Sequence, residues 1–186
     1  CLFLCIESGN FTVYFRVTDE AGNKVVASMN VKLDLLAPST PSVLLKSGEA
    51  GYVGGTWINK KVDFSLSGSV DQGDSGLAGY LYRIDGGALV DGATGSISTS
   101  GDHILSYRSS DLAGNLSNEG QRNIRIDLEG PKAFTIKAEA SGIDGIHVSG
   151  ETIDELSGIA PNGYRLHDGK KWSAWRPVLD DWLTGY

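Results

Sequence analysis

Two stretches of this chain read almost alike: FRVTDEAGN, from Phe15 to Asn23, and YRSSDLAGN, from Tyr107 to Asn115. Each runs from an aromatic and an arginine through two small or β-favouring residues into Asp-x-Ala-Gly-Asn. The first lies between two alternating segments, Phe11 to Thr18 and Lys24 to Leu35. In the leading segment Phe11, Val13, Phe15 and Val17 point one way and Thr12, Tyr14 and Arg16 the other, the period-two pattern of a strand with one dry face. The phrase between them is therefore predicted to be a hairpin turn. Gly22 and Gly114 supply the position with φ > 0, while Asp19, Asn23, Asp111 and Asn115 bond nearby backbone groups. Turn chemistry accounts for every residue of the phrase, so it is read as scaffold.

Working outward, the repetition extends well beyond the turn. An offset of 92 relates Phe15 to Tyr107 and Asp19 to Asp111, and an offset of 93 relates Val31 to Ile124, Asp34 to Asp127 and Pro38 to Pro131. A second family of matches has an offset of 82: Phe64 and Leu66 with Ile146 and Val148, Ser75-Gly76-Leu77 with Ser157-Gly158-Ile159, and Tyr82-Arg83 with Tyr164-Arg165. Both families meet only in the middle of the chain. The expected division is residues 1–37, the back part of one module; 38–130, a complete module; and 131–186, the front part of a third. Glycine-rich breaks separate short alternating segments and no helical stripe occurs, so the fold class is all-β, with antiparallel two-sheet sandwiches.

These residues also carry a resemblance. TWINKKVDFSLSGSVDQGDSGLAGYLYRIDGG, then SGDHILSYRSSDLAGN, then IRIDLEGP is similar to the immunoglobulin-like repeats found in tandem in large bacterial surface and secreted proteins. The resemblance implies an extracellular stalk, spacer or adhesion region with no shared catalytic residues, or an accessory region of a secreted glycoside hydrolase or peptidase. Host or cell-wall glycans and proteins are the partners it implies. The linkers Leu36 to Pro41 and Leu128 to Pro131 are short and proline-bearing, which restricts the backbone between modules.

Composition limits the alternatives. Sixteen basic against 23 acidic residues give a net charge of −7, with no basic run to track phosphates, which argues against nucleic acid as a partner. The longest apolar run, Cys1 to Ile6, is far shorter than the ~20 residues of a membrane helix. If that run is a strand, Cys1 and Cys5 lie about 13 Å apart on one face and cannot form a disulfide. No nucleophile elbow, zinc-protease helix or phosphate loop is present, and His103, His147 and His167 each stand alone in sequence, so no enzyme activity is expected.

Two features remain as candidate sites. Asp71 and Asp74 flank glycine on one loop and Asp85 follows the next strand: either a solvated acidic loop, or oxygen donors for calcium, the one cofactor considered. The second is Trp172-Ser173-Ala174-Trp175 with Trp182 beyond. On a single strand, residues three apart face opposite sides, so at least one indole would lie outside the core and be available to a sugar ring or a protein. The spacing resembles the tryptophans of thrombospondin repeats, without that family's cysteines and layered arginines.

Overall fold

The computed structural model describes residues 7–140, 145–160, 165, 167, 169–175 and 180–183; the expected strand bearing Cys1 and Cys5 lies outside them. Among the described residues the regular structure is entirely β, and no helix is long and apolar enough to cross a membrane. By compactness the chain divides into two units, Cys1–Ile126 and Asp127–Tyr186.

The first unit opens with a two-stranded ribbon, β1 (Gly9–Thr18) and β2 (Lys24–Leu33), paired with Phe11 opposite Val31 and Phe15 opposite Ala27. The expected turn joins them. Asp19 accepts hydrogen bonds from the Asn23 amide at 2.7 Å and the Asn23 side chain at 2.8 Å, and Gly22 has φ +92°. Ninety-two residues later the turn is built again: Asp111 accepts the Asn115 amide and side chain, each at 2.8 Å, and Gly114 has φ +92°.

Nine strands follow in chain order: β3 (Ser42–Ser47), β4 (Ala50–Gly51), β5 (Trp57–Ile58), β6 (Val62–Ser67), β7 (Leu77–Ile84), β8 (Val90–Asp91), β9 (Thr94–Ile97), β10 (Gly101–Asp111) and β11 (Gly120–Ile126). They form two sheets, β4-β3-β6-β9 and β5-β11-β10-β7-β8, antiparallel except for the β5–β11 pair. The sheets face each other as a sandwich because their alternation points apolar residues inward from both sides. Val62, Phe64 and Leu66 of β6, with Leu45 and Ile97, form one buried layer; Leu105, Tyr107, Ile124 and Ile126 form the other. Each such side chain stabilises the fold by roughly 1.5–3 kcal/mol when fully buried. Gly95 leaves room for the Phe64 ring, which meets Tyr82 edge-on at 4.9 Å.

The β7–β8 connection begins with a type I′ turn, in which Asp85 (φ +52°) and Gly86 (φ +70°) lie between Ile84 and Gly87, whose amide donates to the Ile84 carbonyl at 2.9 Å. Such a turn matches the twist of the strands it joins, and aspartate tolerates its left-handed backbone. The second unit contains β12 (Lys137–Ala140), β13 (Ile146–Ser149) and β14 (Asp180–Leu183), antiparallel in that order.

A Cβ at Gly114 would meet no atom within 4 Å, so a side chain there acts through backbone conformation alone. Gly114→Val is expected to destabilise the central sandwich by about 1–3 kcal/mol in urea unfolding. Gly51→Ala, equally uncrowded and without a left-handed backbone, should change stability by less than about 0.5 kcal/mol. Equal costs for the two would show that Gly114 does not need its conformation.

Candidate functional site

Three separate segments converge at one end of the central sandwich: the linker after β2, the loop before β7 and the turn after β10. Asp34 opens the linker. Its carboxylate accepts the Leu36 amide at 3.0 Å and the Ser75 amide at 3.0 Å. It also lies directly against Gly73, where a Cβ would overlap it. Asp71 folds its own loop by accepting the Gly73 amide at 3.1 Å and the Gly76 amide at 2.6 Å. Asn115 of the turn donates back to the linker, to the Asp34 carbonyl at 3.1 Å and the Leu36 carbonyl at 3.4 Å. Ser39 completes the attachment, bonding Val70 through both amide and hydroxyl and receiving the buried Ser109 hydroxyl on its carbonyl at 2.8 Å.

The second unit repeats this joint. Asp127 accepts the Glu129 amide at 3.2 Å and the Ser157 amide at 3.0 Å, as Asp34 accepts Leu36 and Ser75. Lys132 donates its amide to Ile153 as Ser39 does to Val70, and Asp154 accepts the Gly158 amide at 3.0 Å as Asp71 accepts that of Gly76. Hydrogen bonds from Ser75, then the Leu36 amide, hold Asp34 below the usual carboxylate range against partial burial; those from Ser157 do the same for Asp127.

Asp34, Asp71 and the buried Asp111 each bring one carboxylate oxygen to within 4.8 Å of the others. These are hard donors of the kind calcium takes, and they supply three of its usual six to eight oxygens. The set differs from the one expected. Asp74 is exposed on the loop, and Asp85 lies at the far end of β7, an eight-residue strand about 25 Å long. There Asp85 accepts from His103 Nδ1 at 2.7 Å and from the Ile104 amide at 2.8 Å. His103 is not isolated in space: its other nitrogen meets the Thr99 carbonyl at 3.0 Å. Burial pushes this imidazole down, and its hydrogen bonds to Asp85 and Thr99 outweigh that and leave its pKa raised.

Compared with known proteins, the chain matches no family model and no curated protein sequence.

The tryptophan motif takes a form the strand argument did not anticipate. Residues 172–175 are not one strand, and Trp172 and Trp175 are both more than half exposed. Their indoles share one cation: the Arg165 guanidinium carbon lies 4.3 Å from the Trp172 ring centroid and 5.0 Å from that of Trp175. His167 packs on the Trp172 ring at 4.7 Å. An arginine layered with tryptophans is therefore present, supplied from seven residues upstream. Trp182 is placed in β14 opposite His147, and its side chain is outside the described residues.

Arg165 corresponds in the repeat to Arg83, which has a different partner. Glu119 binds Arg83 at 2.9 Å and Arg108 at 2.8 Å, and takes a further bond from Gln121. Hydrogen bonds from Arg108 and Gln121, then Arg83, pull its pKa down to about 2. Sequence reading missed Glu119, because the repeat has no carboxylate at the matching place, where Val26 and Ala27 stand.

Two outcomes follow. A carboxylate whose folded pKa is depressed contributes stability above its unfolded pKa and loses it as pH falls through the folded value. The central sandwich should therefore lose stability between about pH 4.5 and about pH 2, and Glu119→Gln should flatten that part of the profile; an unaltered profile would count against the triad. At neutral pH, Asp34→Ala and Gly73→Ala should each lower the melting temperature, the second by driving Asp34 off the loop, whereas Asp74→Ala should not.

Proposed function

We propose that this chain is part of a non-catalytic, exported bacterial spacer or adhesion stalk built of tandem immunoglobulin-like modules. The observation that carries the reading is a duplicated arrangement, found once within each unit: a carboxylate four residues ahead of a proline accepts the amide of a Ser-Gly loop, Asp34 that of Ser75 and Asp127 that of Ser157. Such a joint has a use only where one folded segment succeeds another. The strand order supports the immunoglobulin label, since one sheet joins β3, β6 and β9, the first, second and fourth of the longer strands, and the other joins β7, β10 and β11, the third, fifth and sixth.

A spacer has to resist tension, and the central sandwich is built to do so. β5, near its start, runs parallel to β11, at its end, with Arg125 opposite Trp57 and Ile126 opposite Ile58. Pulling from opposite ends loads this pair in shear, so its hydrogen bonds resist together. Side chains reinforce it: the Tyr52 hydroxyl accepts the Arg125 amide at 3.0 Å and donates to the Thr56 carbonyl at 2.7 Å, and Arg125 lies over the Trp57 ring and binds Asp102.

A second reading, a glycan- or protein-binding accessory region, is favoured by the exposed Trp172–Arg165–Trp175 stack. Flat indoles beside a cation present both an apolar platform and a donor.

Single-molecule pulling separates the two. The 93-residue repeat from Pro38 to Pro131 should unfold in one step that releases about 300 Å of contour length, and Tyr52→Phe, which loses the Thr56 bond, should lower the unfolding force. Gradual extension without a step would sink the spacer reading. Tryptophan fluorescence titrated with cell-wall oligosaccharides tests the other: a saturable change lost in Trp175→Ala would establish binding.

A further inference from the structure

His103 puts a titratable ring where the repeat elsewhere has an apolar one. It stands opposite Ile124 as Phe11, 92 residues earlier, stands opposite Val31. At 9% exposure the ring is nearly enclosed, and both of its nitrogens meet acceptors. Nδ1 lies 2.7 Å from an Asp85 carboxylate oxygen, in the turn after β7, and Nε2 lies 3.0 Å from the Thr99 carbonyl, in the connection from β9 to β10. The Asp85 side chain is 47% exposed, so it stays ionised at neutral pH. Neither an ionised carboxylate nor a carbonyl can donate, so each contact needs a proton on the ring. A neutral imidazole carries one such proton and the imidazolium carries two.

The surroundings favour the imidazolium. Asp85 and Asp102 are the charges that act on the ring. Residues 94–100 carry no titratable side chain, Arg83 of β7 is held by Glu119, and Arg125 of β11 is held by Asp102. We propose that His103 is a proton-operated latch: as an imidazolium it ties the β9–β10 connection to the β7–β8 turn, and on losing a proton it releases the Thr99 side. The Asp85 side holds for two reasons. A bond to a charged acceptor is the stronger of the two, and Asp85 is fastened to β10 in any case, donating its amide to the Ile104 carbonyl at 2.9 Å and accepting the Ile104 amide at 2.8 Å. The remaining proton therefore stays on Nδ1, and Nε2 turns a lone pair toward the Thr99 carbonyl. Since β9 and β10 belong to different sheets, the latch acts where the chain crosses between them, at the end of the sandwich where Gly101 pairs with Ile126.

The pH range follows from linkage. Burial pushes the folded imidazole down, and the bonds to Asp85 and Thr99, with the charges of Asp85 and Asp102, outweigh it and leave the folded value raised. The latch therefore contributes fully below the unfolded value of about 6.5 and is lost as pH rises through the folded value.

NMR of the whole chain with labelled imidazole nitrogens tests this, the His103 signal being identified by its loss in His103→Phe. Its titration midpoint should be higher in the folded chain than in urea. Between the two midpoints both ring nitrogens should carry protons, and the Thr99 carbonyl carbon should shift with the folded midpoint. In Asp85→Asn the side-chain oxygen keeps the Ile104 bond and asparagine tolerates the left-handed turn, but an amide NH2 now faces Nδ1. The ring should then hold a single proton, on Nε2, and the loss of urea-unfolding stability above about pH 6.5 should disappear. His103→Phe, which restores the ring present at Phe11, should remove the same loss. A folded midpoint at or below the unfolded one overturns the proposal. So does a Thr99 carbonyl that ignores the titration, which would leave an ion pair with Asp85 and no latch, or a stability loss that persists in His103→Phe.

Discussion

A linker carboxylate accepting the amides of the loop ahead of it is the interaction on which the order of this chain depends. Ser75 and Gly76 sit in a loop whose amide groups have no strand partner, and polar backbone groups away from water need one. Asp34 and Asp71 provide it together, and Asn115 closes the arrangement from the turn after β10. Since each group belongs to a different segment, the linker cannot swing without exposing several donors at once. Proline restricts the linker backbone from within; these hydrogen bonds hold it from without.

That constraint changes the meaning of the repeated turn. Asp111 and Asn115 form a self-contained hairpin closure, and so do Asp19 and Asn23, so local chemistry suffices to explain the motif. Yet the second hydrogen of the Asn115 side-chain amide is shared between the carbonyls of Asp34 and Leu36, so the same asparagine is also part of the joint. A residue with a complete local role can carry a second one that only the folded chain reveals.

How far the sequence could be read follows from the range of each interaction. Strands and turns are set by neighbours a few positions apart, and the ribbon, its turn and the antiparallel sheets were legible from alternation, the Asp-x-Ala-Gly-Asn phrase and the glycine-rich breaks. Ligand geometry is set by groups far apart along the chain. Asp71 was therefore grouped with Asp74 and Asp85, its neighbours along the chain, whereas its neighbours in space are Asp34 and Asp111. A signal did exist. Asp34 with Asp127, and Ser75 with Ser157, recur without any role in a strand or hairpin turn, and recurrence without a local role points to a contact between the recurring residues. For Glu119 and the Arg165 stack no such signal was available, because neither arrangement repeats.

Burial obeys the same distinction. Val13 and Leu105 occupy equivalent positions in ribbons of equal register, yet one is half exposed and the other fully buried. Periodicity reports which side of a strand is apolar and does not report whether a second sheet lies against it. Side chains that point to solvent are freer, and the two arginines of the repeated Tyr-Arg step have different company: Arg83 is neutralised by Glu119, and Arg165 lies over two exposed indoles. The inner face is constrained by the core it must fill, so the repeat preserves it. Exposed positions are constrained only by solubility, and departures from the repeat there, Trp172 and Trp175 above all, are where one copy of the repeat can acquire a property that the other lacks.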